Sequence, residues 1–127
     1  MKIHFIIAAT LGFLAVVLGA FGAHALKENI SIDALKNFET GVRYMMYHAI
    51  VILFINSFQN FNNATKNRIS LLFLIGIIFF SGSLFAITAG GISAKAIWFI
   101  TPLGGLFLIL GWIFTIFSFI KMKNENN

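Results

Sequence analysis

Cysteine is absent from the 127 residues, which removes disulfides, thiolate metal sites, covalent haem attachment and iron–sulfur ligation together. Redox chemistry would need a borrowed cofactor. Charge is almost as scarce: Asp, Glu, Lys and Arg make up 10 % of the chain, against 59 % hydrophobic residues. A chain this short cannot cover a core with so little polar surface, so its composition demands lipid as solvent. The net charge of +5 does not point to nucleic acid, because the nine Lys and Arg residues stand singly or in pairs at the ends of apolar runs. Cations so placed are topology markers and lipid headgroup contacts. Phosphate loops, nucleophile elbows and zinc-protease patterns are missing too.

Long apolar runs, by contrast, fill most of the sequence, and spans are expected at about residues 3–24, 43–60, 69–89 and 96–120. A hydrocarbon core of ~30 Å takes a helix of roughly 20 apolar residues. The first, third and fourth runs meet that length; the second carries His48 and Asn56 and must extend into neighbouring polar residues or tilt. The expected fold is an all-α membrane protein, a single domain over residues 1–127 forming a four-transmembrane-helix bundle. Its short connections leave no room for a soluble catalytic domain. Lys2, the first run and Ala23-His24-Ala25 resemble a cleavable signal peptide. The run is longer than a signal core of about 7 to 15 residues, so it is expected to be retained as a span.

Within the first run, Ala8, Gly12, Ala15, Gly19 and Ala23 recur at helical spacing and make a strip where another helix can approach closely. In Ser31 to Val42, Ile32, Leu35, Phe38 and Val42 share one helical face, opposite Asp33, Lys36, Asn37 and Glu39. Ser31 can cap that helix. So strong a contrast predicts a short amphipathic interfacial helix between spans one and two. Asn60 to Arg68 reads as an exposed connection, and Gly90 and Gly91 close the third span. Thr101-Pro102 reads either as a capped restart with proline in the first helical turn or as a kink within a longer helix.

With an even number of spans both termini share a side, which carries Lys2, Lys66, Arg68, Lys121 and Lys123 against Lys27, Lys36, Arg43 and Lys95. That excess favours both termini in the cytoplasm.

The unusual residues gather toward the other side, in one leaflet. His24 ends the first span; Arg43, Tyr44, Tyr47 and His48 begin the second; Ser81 and Ser83 lie late in the third; and Thr101 opens the fourth. Glu39, Arg43 and Tyr47 recur every fourth residue, with Tyr44 and His48 an adjacent pair, so one helical face carries them and Glu39 can pair with Arg43. Ionisable groups at membrane depth suggest a site. The alternative is anchoring: His48 lies about one turn inside its expected span, within reach of the headgroups, where tyrosines form an ordinary belt. His24 and His48 could ligate haem or zinc across helices, but zinc would want further ligands and only Glu39 is near, so no metal or cofactor is expected. His4 reads as a terminal residue without special role, Trp98 as an interfacial anchor and Trp112 as packed or lipid-facing.

Leu18-Gly19-Ala20-Phe21-Gly22-Ala23-His24-Ala25-Leu26, Phe38-Glu39-Thr40-Gly41-Val42-Arg43-Tyr44, Tyr47-His48, Phe80-Ser81-Gly82-Ser83-Leu84 and Ile100-Thr101-Pro102-Leu103-Gly104-Gly105 with Gly111-Trp112 together form a recognisable set. In these motifs the chain resembles the YgdD-like family of small bacterial inner-membrane proteins, a domain of unknown function. The resemblance implies four membrane helices and no particular activity. Where the family pattern has a glutamine after the first tyrosine of Tyr-x-x-Tyr-His, this chain has Met45, which takes an amide out of that stretch.

Three functions are compatible with these observations. Small size favours a membrane-embedded accessory protein that binds a lipid or a membrane-protein partner, including another copy of itself. A small-molecule or ion pathway lined by His24, Arg43, His48 and the serines would require an oligomer, because four helices are thin for a pore. A quinone- or haem-associated protein lacks a recognisable ligand set, and an enzyme lacks an acid–base set.

Overall fold

The computed structural model describes residues 2–125, with backbone only for 123–125. Four long helices account for most of them: α1 (Lys2–His24), α2 (Ile32–Ser57), α3 (Asn63–Thr88) and α4 (Ile100–Glu125), with a single 3-10 turn at Leu26–Glu28. All four are long and apolar enough to cross a membrane. Helices of 23 to 26 residues span ~35–39 Å, more than the ~30 Å hydrocarbon core, so each can reach both headgroup layers. Large side chains point outward, with Phe13, Val16, Ile78 and Phe117 between 62 % and 67 % exposed. Acyl chains would cover them.

The short interfacial helix expected over 31–42 does not exist as a separate element. Ser31 does cap a helix, accepting from the Ala34 N–H at 3.1 Å, but that helix runs unbroken to Ser57. Its apolar face has a better use than the headgroup layer. Phe38 is 1 % exposed and lies between Gly22 of α1 and the ring of Phe85 on α3, 5.1 Å from it between centroids. Burial between two helices thus outcompetes interfacial placement, and the one glycine there, Gly41, stays within the helix and leaves room for the Phe85 ring.

Neighbours in sequence are neighbours in space: α1 packs on α2, α2 on α3, and α3 on α4. Small residues set these approaches. On α1, Gly12, Gly19 and Gly22 face Met46, Val42 and Phe38, while Ala8 and Ala15 are buried and Ala23, expected in the strip, is exposed. On α3 and α4 the fit is tighter, with Gly76 against Leu108, Gly104 against the backbone of Phe79 and Phe80, and Gly111 against the ring of Phe73. Glycine lets the two backbones nearly touch.

Asn62 caps α3 by accepting from the Thr65 N–H at 2.8 Å. At its other end Gly91 adopts φ +72° and turns the chain back, so that the Ile92 N–H donates to the Ala86 carbonyl at 3.1 Å. Pro102 falls in the first turn of α4, where its missing N–H is not needed, which decides for a restart over a kink. Thr101 lies inside that turn rather than before it, so it is not the cap.

Candidate functional site

His48, Phe73 and Trp112 each lie within about one turn of the middle of α2, α3 and α4, and their rings meet there. Ring centroids are 5.3 Å apart for His48 and Phe73, 5.4 Å for Phe73 and Trp112, and 6.0 Å for His48 and Trp112. The Trp112 Nε1–H donates to His48 Nε2 at 3.1 Å, and His48 Nδ1 lies 2.6 Å from the carbonyl oxygen of Tyr44. An indole N–H can only donate and a carbonyl can only accept, so this pattern selects neutral histidine with its proton on Nδ1. Both ring nitrogens are then satisfied, and the ring is 4 % exposed.

This placement corrects the expectation of a surface anchor. Because α2 begins at Ile32 rather than near residue 43, His48 sits deep in the bundle instead of one turn from its edge. The partner was also missed: Trp112 lies 64 residues away, and no spacing pattern links it to His48. The signal that could have pointed to it is Gly111. It leaves room on the α4 backbone for the Phe73 ring, which packs on both Trp112 and His48.

Beside this pair, α2 and α4 part into an open cleft of about 650 Å³ lined by Tyr44, Tyr47, His48, Gly105, Leu108 and Trp112, together with Ile50, Val51 and Ile109. Its walls are apolar and aromatic. Tyr44 stacks on Phe80 with centroids 4.8 Å apart and lies 6.0 Å from Tyr47. The two rings are 38 % and 53 % exposed, and among the described residues neither hydroxyl has a hydrogen-bond partner. The cleft can therefore cover a hydrocarbon chain and offer a polar group two hydroxyls, the Trp112 N–H being already given to His48.

The remaining expected site residues do not join it. Ser81 is buried and donates to the Gly41 carbonyl at 2.7 Å, tying α3 to α2, while the Ser83 and Thr101 hydroxyls bond each other across α3 and α4. These are packing bonds between helices. His24 is exposed at the end of α1. The register that sets Gly22 on Phe38 and Gly19 on Val42 puts it level with about Lys36, ~18 Å along the axis from His48, so the two imidazoles cannot share a ligand. The Glu39–Arg43 ion pair also does not form. Both residues are exposed, and Arg43 donates instead to the Thr40 hydroxyl at 3.1 Å, consistent with the small gain an exposed pair would bring.

At the opposite end of the bundle is a polar cluster that no spacing pattern announces. His4 is 6 % exposed and shares a 2.8 Å hydrogen bond between its Nε2 and Asn67 Oδ1. Asn56 donates to the Ile52 carbonyl and to Ser70 Oγ, both at 2.8 Å, and Lys66 Nζ donates to the Asn56 carbonyl at 3.1 Å. His4 Nδ1 and Asn56 Oδ1 are buried without a partner. Polar bonds thus hold the helices together at both ends, with the apolar layer of Ile52, Phe73, Ile77 and Leu108 between.

Comparison with known proteins identifies the same chain length and character elsewhere in bacteria. The family described as "Protein of unknown function (DUF423)" matches residues 18–105. A UPF0382 membrane protein of Staphylococcus aureus is 39 % identical over 121 residues, covering 95 % of this chain and 98 % of that one. The UPF0382 membrane protein YwdK of Bacillus subtilis is 38 % identical, with 95 % and 98 % covered. The UPF0382 inner membrane protein YgdD of Escherichia coli is 33 % identical, with 94 % and 91 % covered. No solved structure matches. With four membrane-length apolar helices and relatives of this kind along nearly its whole length, the chain belongs to the DUF423 family, as an integral membrane protein of the UPF0382 group.

Proposed function

We propose that this protein is a membrane-embedded accessory protein that binds an amphiphile, a membrane lipid or lipid-like molecule, in the cleft between α2 and α4. The observation that carries this reading is the cleft itself. Its 650 Å³ falls within the ~300–1,000 Å³ usual for ligand sites, and its apolar wall is broken by only a few polar groups. A hydrocarbon chain would lie along Val51, Leu108 and Ile109, while a hydroxyl or carbonyl would meet the Tyr44 and Tyr47 hydroxyls. A binding role is favoured over a catalytic one because both His48 nitrogens are already engaged, by Tyr44 and Trp112. It is favoured over a pathway through one copy because an apolar layer separates the polar ends of the bundle. We place both termini in the cytoplasm on the cation excess beside them, and a cysteine at Asn63 that reacts from outside the cell would reverse that assignment.

A brominated long-chain alcohol tests the cleft, since bromine quenches an indole only on contact. In a Trp98→Phe background, the alcohol should quench Trp112 saturably. Filling the cleft with Gly105→Leu and Val51→Phe should abolish the saturation. Linear, unsaturable quenching in both proteins would mean bulk partitioning and no site.

A further inference from the structure

A second concavity, of about 300 Å³, lies at the end of the bundle that holds the termini, where the start of α3 meets the end of α4. We propose that it is a binding site for the phosphate of an anionic phospholipid, distinct from the α2–α4 cleft. Arg68 reaches it from α3 and Lys121 from α4, with the side chains of Asn60 and Ser118 beside them. No acidic side chain lines it among the described residues, and of the four acids in the sequence Glu28, Asp33 and Glu39 lie at the other end of the bundle. Lys66, two residues before Arg68, is turned inward onto the Asn56 carbonyl, so among the described side chains Arg68 and Lys121 are the cations that line the site. Phosphate diesters are well served by two cations on separate helices.

A lipid is favoured over a free phosphate because the same concavity is walled by Phe114 and Phe117, and Phe117 is 63 % exposed on the outward side of α4. An acyl chain leaving a phosphate held by Arg68 and Lys121 would run directly along that ring. The two cations also repel the ammonium of a zwitterionic headgroup, which selects for net negative lipids.

The test is native mass spectrometry of the full chain from mixed micelles containing equal phosphatidylglycerol and phosphatidylcholine. The wild type should retain phosphatidylglycerol preferentially, and Arg68→Gln and Lys121→Gln should each lower that preference about fivefold, the effect of one surface cation on an anionic lipid. Lys95→Gln at the opposite surface should not change it. Arg68→Lys, which keeps the charge, should retain most of the preference and guards against reading misfolding as lost binding. The proposal is overturned if the Arg68→Gln, Lys121→Gln double variant keeps the wild-type preference, or if glycerol phosphate alone competes as well as the lipid, which would make the site one for a free phosphate.

Discussion

Replacing Gly104 by alanine is expected to push α3 and α4 apart and to cost about 3 kcal/mol of bundle stability, at the upper end of overpacking effects. A Cβ at this position would run into the backbone N and Cα of Phe80 and the carbonyl carbon of Phe79. Those atoms belong to the opposing helix and cannot rotate away, as a side chain could. Gly82, on the same helix as Phe80, is the matched control: a Cβ there meets nothing within 4 Å, so Gly82→Ala should be neutral or slightly stabilising through helix propensity. Reversible unfolding in detergent, followed by circular dichroism, reads both. Equal stability of the two variants would show that α3 and α4 are not packed backbone to backbone.

His48→Ala is expected to have the other large effect, about 3 kcal/mol, because it combines a cavity with two lost hydrogen bonds. The ring fills the space among Tyr44, Phe73 and Trp112, and removal leaves the indole N–H facing hydrocarbon. Trp112→Phe should cost less, since that ring is 44 % exposed and phenylalanine keeps much of its contact with Phe73. In a double-mutant cycle the two positions should couple by about 0.5–1.5 kcal/mol, the range for polar bonds between membrane helices. Additive losses would deny the hydrogen bond. The coupling also separates a packed mid-bundle pair from a surface anchor, because an interfacial histidine would be solvated by headgroups and water and would not depend on Trp112.

Much of the architecture was legible in the residues. Apolar runs of membrane length and scarce charge dictated four helices in lipid, and Gly12 and Gly19 of the first run marked the close approach of another helix. Length and composition are local properties, so a sequence displays them. The misreadings concern properties set by partners. The face carrying Leu35 and Phe38 looks the same whether it meets headgroups or another helix, and only Gly22 and Phe85, distant in the chain, turn it inward. His48 was recognised as unusual, but its depth depended on where α2 starts and its role on Trp112. Ser81 bonds the α2 backbone and Ser83 meets Thr101 across α3 and α4, so these hydroxyls hold helices together instead of lining the cleft. His4 and Asn67 gave no pattern at all, being neighbours only because α1 and α3 begin at the same end.

The claim on which the rest stands is that α2 and α4 bring His48 and Trp112 together at mid-depth, beside a cleft that opens to lipid. Depth-dependent fluorescence quenching tests it directly. With Trp98→Phe leaving Trp112 as the single indole, the protein is reconstituted in bilayers whose acyl chains carry bromine at graded depths. Quenching should peak with bromines near the chain ends and weaken toward the headgroups; a maximum with bromines next to the headgroups would contradict the account.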